Sequence, residues 1–121
     1  MHQEIKEVNP ATAYERIQNG ALLLDIRESE EIEMVAFDVE EQLFIPQSEF
    51  AFRFREVPPD REVIVGCRSG NRSRDVILFL IKEKYDNVYN LEGGIEEWIE
   101  TDLPVKWDNY EAGSAIQIHK I

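Results

Sequence analysis

The sequence predicts an α/β fold in which a central, mainly parallel sheet of five strands is covered by helices on both faces. Short apolar segments alternate along the chain with segments of helical character. Runs that are this short and this apolar are typical of parallel strands that are buried on both faces. The chain of 121 residues is long enough to form one domain with a substantial core.

The N-terminal part predicts an edge strand, a helix and a buried strand. Residues 4–8 are compatible with a short edge strand. Asn9 is expected to cap a helix that has Pro10 at its first position and that ends at Gln18, before Asn19-Gly20. Residues 21–26, Ala-Leu-Leu-Leu-Asp-Ile, are too few for a helix and predict a buried strand.

The segment that follows is less regular. An acidic helix is expected over residues 29–34, and at least one of the apolar runs 35–37 and 43–45 is expected to be a strand. The phenylalanines at positions 50, 52 and 54 alternate as in a strand, but they follow Pro46. Helix and strand therefore both stay open for residues 47–55.

The second half of the chain has clearer boundaries. Pro58-Pro59-Asp60 marks a turn, and residues 62–66 predict a strand. The apolar run from Val76 to Ile81 is too continuous for a helix with one solvated face, which predicts a helix largely buried against the sheet. A strand over 88–91 and a helix over 95–100 follow, separated by Gly93-Gly94. We predict one domain over residues 1–106 and a C-terminal tail, 107–121, that packs on the domain or extends from it.

Charge and composition restrict the possible functions. The net charge of −12 argues against nucleic-acid binding, which basic surfaces usually drive. No apolar run approaches the roughly 20 residues that cross a bilayer, and the N-terminus lacks the features of a secretory signal. The single cysteine excludes an intrachain disulfide and a cysteine-rich zinc cluster. These observations predict a cytoplasmic protein that binds neither nucleic acid nor membrane.

The acidic residues are unevenly distributed. Between Glu28 and Glu41 there are seven acidic residues and no basic one. This segment is either a solvated helix and loop or a docking face for a basic partner. The two histidines, His2 and His119, lie near opposite ends without spaced cysteine or histidine partners, so no metal site is expected.

The chemistry of the chain is expected at Cys67. This residue lies where a predicted strand ends and a predicted helix begins, which is where open α/β folds bind ligands. The backbone N–H groups of the helix N-terminus, together with Arg68 and Arg72, favour the thiolate form of a cysteine. Gly70 allows successive amides to converge on an anion. The alternative is a buried, inert cysteine.

Three segments carry a resemblance to a known family. Residues 67–73, Cys-Arg-Ser-Gly-Asn-Arg-Ser, are similar to the active-site loop of single-domain rhodaneses, the thiosulfate sulfurtransferases. Residues 22–28 resemble the family's apolar strand that ends in Asp-x-Arg-Glu, and residues 91–98 resemble its Gly-Gly turn and tryptophan-bearing helix. The resemblance covers roughly residues 4–104 and implies the rhodanese-like form of the fold predicted above.

The resemblance implies a sulfurtransferase that works in two steps without a cofactor. Cys67 would take a sulfane sulfur from a small anionic donor such as thiosulfate, or from a persulfide. The resulting persulfide would pass the sulfur to a thiophilic acceptor, which is cyanide or a thiol, free or on a protein. The implied substrate-binding residues are Arg68, Ser69, Gly70, Asn71, Arg72 and Ser73. The implied structural supports are Asp25, Arg27, Gly93, Gly94 and Trp98, of which Asp25 and Arg27 are expected to form a buried pair.

One segment departs from the family pattern. Relatives usually have a Gly-His-Ile-x-Gly-Ala-like sequence after the acidic helix, whereas residues 34–42 contain neither glycine nor histidine. The resemblance therefore does not predict the residues of this wall of the pocket, and it does not identify the acceptor.

Two other functions compete with sulfur transfer. A cysteine phosphatase or arsenate reductase would also place Cys and Arg on such a loop, but its signature encloses five residues, whereas Cys67 and Arg72 enclose four. The residue directly before Cys67 is also not a histidine. A non-catalytic persulfide carrier or interaction module would use the same residues as the enzyme, so this alternative remains open.

Overall fold

A computed structural model of the protein describes residues 4–107. In chain order, its strands and longer helices are β1 (Glu7–Val8), α1 (Pro10–Gln18), β2 (Leu22–Asp25), α2 (Ser29–Met34), β3 (Val35–Phe37), β4 (Gln42–Phe44), α3 (Phe50–Arg53), β5 (Val63–Gly66), α4 (Arg72–Lys82), β6 (Val88–Leu91), α5 (Gly94–Glu100) and β7 (Val105–Trp107). Short 3-10 helices over Gln47–Glu49 and Phe54–Glu56 flank α3.

The main sheet of the described region has five parallel strands in the order β1-β6-β5-β2-β4. Asp25, the last residue of β2, is in register with Gly66, the last residue of β5. The residues that follow these two strands therefore emerge side by side at one edge of the sheet. Cys67 follows β5 directly, so the fold places it at the carboxyl end of the central strand.

Alternate residues of the central strands pack on opposite faces of the sheet. Leu24 and Val65 belong to one core cluster with residues of α3 and α4, whereas Leu23 and Ile64 belong to a second cluster with residues of α1 and α5. Neighbouring side chains of a strand point to opposite faces, and here both faces are buried. The predicted α/β class, with helices on both faces of a parallel sheet, is confirmed.

The N-terminal helix starts and ends as predicted. The Oδ1 atom of Asn9 accepts a hydrogen bond from the Thr12 N–H at 2.8 Å, and Pro10 occupies the first turn. The predicted edge strand over residues 4–8 is shorter than expected, because only Glu7 and Val8 pair with β6.

The segment that the sequence left open between residues 47 and 55 is helical. Phe50 and Phe54 are buried, whereas Phe52 is 85% exposed. Residues four positions apart lie on one face of a helix, and a residue two positions on lies on the other. The alternation of phenylalanines is therefore the pattern of a helix with one buried face.

Two features differ from the sequence prediction. The helix that was predicted to be largely buried over Val76–Ile81 leaves Leu78 42% exposed, whereas Val76, Ile77 and Leu80 are buried. The second difference is a two-stranded antiparallel sheet in which β3 pairs with β7. The two runs considered as strands, 35–37 and 43–45, correspond to β3 and β4. The predicted domain limit at residue 106 falls inside β7. Residues 108–121, and with them most of the predicted tail, lie outside the described residues.

Candidate active site

The sulfur of Cys67 lies at the centre of the loop that joins β5 to α4. The Gly70 N–H donates to Sγ at 3.1 Å and the Ser73 N–H donates to it at 3.4 Å. Gly70 has a positive φ of 95°, a backbone conformation that residues other than glycine rarely adopt. Two backbone N–H groups, one of them in the first turn of α4, therefore converge on the thiol. Cys67 itself is buried, with 1% of its surface exposed.

The start of α5 fastens the loop from the other side. The Ile95 N–H donates to the Cys67 carbonyl at 2.9 Å, and the Glu96 N–H donates to the Arg68 carbonyl at 3.1 Å. Gly94 permits this approach, because a Cβ atom on it would lie 2.4 Å from the Arg68 oxygen. Gly93, with a φ of 75°, precedes the helix. The Gly-Gly turn thus lies directly against the backbone of the cysteine loop.

A buried polar network lies beneath the sulfur. Sγ of Cys67 and Oγ of Ser73 are 3.3 Å apart, and the Ser73 hydroxyl donates to Oδ1 of Asn90 on β6. Nδ2 of Asn90 donates to Oε2 of Glu7 at 2.9 Å and to the Gly70 carbonyl at 3.1 Å. Glu7 also accepts from Arg74 at 2.7 Å. The cysteine is therefore linked through side chains to the edge strand β1.

Both arginines of the loop form ion pairs with glutamates. Arg72 donates to both carboxylate oxygens of Glu31, at 2.8 and 2.6 Å, and Nε of Arg68 donates to Glu96 at 3.0 Å. The hydrogen bond to Glu31 raises the pKa of Arg72, and the same contact lowers the pKa of Glu31. Their positive charges, which were expected to face an anionic donor, are therefore partly neutralised by carboxylates.

Asp25 and Arg27 form a buried ion pair beside the loop. Nε and Nη2 of Arg27 donate to the two oxygens of Asp25 at 3.0 and 2.9 Å. Nη1 of Arg27 donates to the Val35 carbonyl at 2.9 Å. The pair consequently joins the end of β2 to β3.

The remaining predicted residues occupy two different environments. Ser69 and Asn71 are exposed at the outer edge of the loop, where Nδ2 of Asn71 lies 3.3 Å from Oγ of Ser69. Trp98 is fully buried, donates from Nε1 to the Pro104 carbonyl at 2.9 Å, and packs edge-to-face on Tyr14 and Phe37. Trp98 thus belongs to the buried core beneath α5, whereas Ser69 and Asn71 lie at the surface.

Part of the acidic segment is engaged within the protein. The carboxylate of Glu28 accepts from Ser48, and Glu41 pairs with Arg61. Asp38 lies 3.9 Å from Lys106. The acidic segment is therefore not only a solvated helix and loop. Its residue Glu31 is the ion-pair partner of Arg72 in the cysteine loop.

A pocket of about 440 Å³ opens beside the cysteine loop, between α2 and α5. Its apolar lining includes Met34, Val35, Ile95 and Ile99, and Arg68 borders it. Met34 is 65% exposed. Glu30, Glu31 and Glu96 also line the pocket, so it combines apolar walls with carboxylates. The segment that departs from the family pattern thus forms part of this wall through Met34 and Val35.

Sequence reasoning did not single out Glu7, Glu31 or Asn90, although the structure brings all three to the loop. A signal existed for Asn90, which is a polar residue inside an otherwise apolar strand and is 1% exposed. No comparable signal marks Glu31, which is one of several glutamates on α2.

Residues 4–107 contain no group of three or more side chains able to hold a metal ion, and His2 and His119 lie outside this range. Among the helices of the same region, none combines the length and apolar character needed to traverse a bilayer.

Comparisons with known proteins agree with this geometry. Residues 9–101 match the family model of the rhodanese-like domain. The thiosulfate sulfurtransferase GlpE of Haemophilus influenzae (strain PittEE) is 34% identical over 101 residues, which cover 83% of this chain and 93% of that protein. A sulfurtransferase of Allochromatium vinosum is 33% identical over 103 residues, covering 84% and 94% of the two chains.

A solved crystal structure matches this chain in fold, at a similar level of sequence identity. The crystal structure of a rhodanese-related protein from Thermoplasma volcanium has a TM-score of 0.74 and 33% sequence identity, and the match covers 84% of this chain and 97% of that one. The family model spans most of the chain and includes the cysteine loop, the Asp-x-Arg-Glu strand and the Gly-Gly turn. The chain therefore belongs to the rhodanese-like family of sulfurtransferases.

Proposed function

We propose that Cys67 carries a sulfane sulfur as a persulfide, between a thiosulfate or persulfide donor and a thiophilic acceptor. The thiolate of Cys67 attacks the outer sulfur of the donor. A new S–S bond forms as the old one breaks, and sulfite or the donor thiolate leaves with the electron pair. The acceptor thiolate or cyanide then attacks the terminal sulfur and releases the Cys67 thiolate.

The observation that carries this proposal is the convergence of backbone donors on one sulfur atom. The N–H groups of Gly70 and Ser73 lie within 3.4 Å of Sγ, at the N-terminus of a helix of eleven residues. Oriented amides at a helix N-terminus stabilise a negative charge without a metal or a cofactor. The same donors support a thiolate before the transfer and a persulfide anion after it.

The surroundings of the loop bear on the donor and the acceptor. Arg68 and Arg72 are each paired with a glutamate, which weakens the attraction of an anionic donor such as thiosulfate. The neighbouring pocket has apolar walls, and its charged lining is largely paired, because Glu31 and Glu96 bind Arg72 and Arg68. Such a lining suits the apolar part of an organic thiol better than a small anion. We therefore assign the pocket to the acceptor, and favour a thiol, free or on a protein, over cyanide.

Intact-mass measurement tests the proposal directly. After incubation with thiosulfate or with a low-molecular-weight persulfide, the chain gains the mass of one sulfur atom. Cyanide or a thiol removes this mass, and Cys67→Ser never acquires it. Since the chain contains one cysteine, the adduct has a single possible thiol site. The proposal fails if neither donor adds sulfur to a folded wild-type protein.

A non-catalytic persulfide carrier remains a second candidate, and the burial of Cys67 favours it. With 1% of the residue exposed, the sulfur is reached only through a close approach to the loop or a movement of it. Multiple-turnover assays with several acceptors distinguish the two functions. An enzyme turns over many times per chain, whereas a carrier transfers one sulfur and needs a specific partner to be reloaded.

Phosphatase or arsenate reductase activity has less support from the geometry. In such enzymes the arginine of the loop binds the oxyanion, whereas Arg72 directs both of its terminal nitrogens to Glu31. An aryl phosphate assay under the conditions of sulfur transfer tests this alternative, and we expect no hydrolysis above that of Cys67→Ser.

A further inference from the structure

The hydrogen-bond network beneath Cys67 fixes the orientation of the Asn90 amide. Its Nδ2 atom lies 2.9 Å from Oε2 of Glu7 and 3.1 Å from the carbonyl oxygen of Gly70. A carboxylate and a backbone carbonyl only accept hydrogen bonds, so both amide hydrogens are used there. Oδ1 of Asn90 must therefore face Ser73 as an acceptor.

This orientation decides where the Ser73 hydroxyl proton goes. A serine hydroxyl has one proton, and here it is donated to Oδ1 of Asn90. The contact of 3.3 Å between Oγ of Ser73 and Sγ of Cys67 must then have the sulfur as donor. This arrangement suits a neutral thiol. A thiolate would receive the two backbone N–H groups but no hydroxyl proton.

We propose that Asn90 is a positioning residue that holds the Ser73 hydroxyl proton away from Cys67 and so limits the thiolate fraction of the resting protein. Ser73 can donate to the thiolate only by leaving Oδ1 of Asn90 unpaired in a buried site, and such an unpaired acceptor is costly. Asn90 and Ser73 are 1% and 0% exposed, so water has little access to replace the lost contact.

The proposal deepens the proposed function, because it rests on Cys67 as the reacting thiol. Other charged groups lie on the elements packed around the loop. They are Arg68 and Arg72 on the loop and α4, Glu31 on α2, Glu96 on α5, Asp25 and Arg27 at β2, and Glu7 and Arg74, which are linked through Asn90. None of these residues is itself substituted in the variants described below, although Asn90→Leu removes the hydrogen bond to Glu7.

The first experiment measures the thiolate by its ultraviolet absorbance as a function of pH, with Cys67→Ser as the blank. Asn90→Leu removes the acceptor of the Ser73 proton and leaves the hydroxyl free to donate to the sulfur. We expect the titration midpoint to fall by about one pH unit, a tenfold rise in the ratio of thiolate to thiol, as one hydrogen bond to a charged group would give. An unchanged or raised midpoint overturns the proposal.

A double-mutant cycle with Ser73→Ala separates the hydroxyl from other effects of the substitution. Any influence of Asn90→Leu through Gly70 or Glu7 persists without the hydroxyl, whereas the proposed effect disappears. We therefore expect Asn90→Leu to leave the midpoint unchanged in the Ser73→Ala background. A shift of the same size in both backgrounds contradicts the proposal. Asn87→Leu, the same substitution at the residue directly before β6, is the matched control and should leave the midpoint unchanged.

Ser73→Ala alone gives an independent answer if Asn90→Leu does not fold, as judged by near-ultraviolet circular dichroism. If the Ser73 hydroxyl donates its proton to Asn90, removal of the hydroxyl in Ser73→Ala does not raise the titration midpoint of the thiol. If instead Ser73 donates to the thiolate, the midpoint rises by about one pH unit, and the proposal is overturned. These titrations need no turnover, so a failed sulfur-transfer assay would reject the proposed function without deciding the role of Asn90.

Discussion

The guanidinium of Arg72 donates two hydrogen bonds to the carboxylate of Glu31, at 2.8 and 2.6 Å, and thereby joins the first turn of α4 to α2. The bidentate geometry is the strong form of an arginine–carboxylate contact. It directs the arginine of the cysteine loop towards the acidic helix. The carboxylate therefore partly neutralises the positive charge of Arg72 beside the cysteine loop.

Removal of the Glu31 charge should strengthen the binding of anionic donors. In Glu31→Gln the positive charge of Arg72 is no longer neutralised, so we expect the KM for thiosulfate to fall by about threefold to tenfold, or roughly 1 kcal/mol of added attraction. Steady-state kinetics at low and at physiological ionic strength measure the effect, which should be larger at low salt.

The matched control for this variant is Glu33→Gln. Glu33 is an exposed residue of the same helix and forms no ion pair with another residue of 4–107. Glu33→Gln changes the net charge by the same amount as Glu31→Gln but leaves the Arg72–Glu31 pair intact. The KM of this variant for thiosulfate should therefore stay close to that of the wild type. A KM for Glu31→Gln that is unchanged or raised would contradict a role of the pair in donor binding.

The Arg72–Glu31 pair should also make stability depend on pH in the acidic range. The hydrogen bond from Arg72 lowers the pKa of Glu31 in the folded protein below its ordinary value of 4.5. A carboxylate whose pKa is lower in the folded state stabilises the fold fully above its unfolded pKa. That contribution is lost as the pH falls through the lower, folded-state pKa.

Denaturant titrations of the wild type and Glu31→Gln, from about pH 3 to pH 7, test this dependence. The difference in unfolding free energy between the two proteins should be constant above about pH 4.5 and should shrink at lower pH. A difference that grows on acidification would show that the carboxylate is not held in its charged form.

Disruption of the Asp25–Arg27 pair should destabilise the protein more than any exposed pair. Both side chains are 2% exposed, so Arg27→Met leaves a buried carboxylate without its partner and the Val35 carbonyl without its donor. We expect a loss of about 3–5 kcal/mol in unfolding free energy. The control is Arg61→Met, whose partner Glu41 is largely exposed and whose loss should cost about 1 kcal/mol or less. Urea denaturation measures both, and equal losses would refute the buried role of Arg27.

A methyl group at position 94 should displace the cysteine loop. A Cβ atom on Gly94 would lie 2.4 Å from the Arg68 oxygen and 2.5 Å from the Cys67 oxygen, so Gly94→Ala must push the loop away from α5. Gly20→Ala is the control, because Gly20 also has a positive φ but a Cβ there meets no atom within 4 Å. Both variants should lose about 1–3 kcal/mol of stability from backbone strain.

Only Gly94→Ala should impair sulfur loading. We expect the rate of persulfide formation to fall by about tenfold or more, which is the usual result of misplacing a reacting group. Mass spectrometry after short incubation with thiosulfate measures this rate. Similar rates for the two folded variants would argue against the Gly-Gly turn as a support of the loop.

Much of the fold follows from local sequence patterns. Asn9-Pro10 defines the start of α1, and the apolar run 21–26 contains β2, since caps and short buried strands have strong local signals. The β3–β7 pairing was not predicted, because Val35 and Trp107 are far apart in the chain and neither segment alone has a distinctive pattern. The exposure of Leu78 was missed for the same reason, since the packing of neighbouring elements decides which side of a helix is covered.

The sequence by itself determined that one cysteine lies at a strand–helix junction with a glycine three residues later, and hence that backbone amides converge on its sulfur. That geometry is local, because it depends on the loop and on the first turn of α4. The tertiary structure alone decided that Arg72 forms its ion pair with Glu31 and that the Ser73 hydroxyl donates its hydrogen bond to Asn90. Both contacts join residues far apart in the chain, so their energy depends on the distance and burial that the packed fold creates.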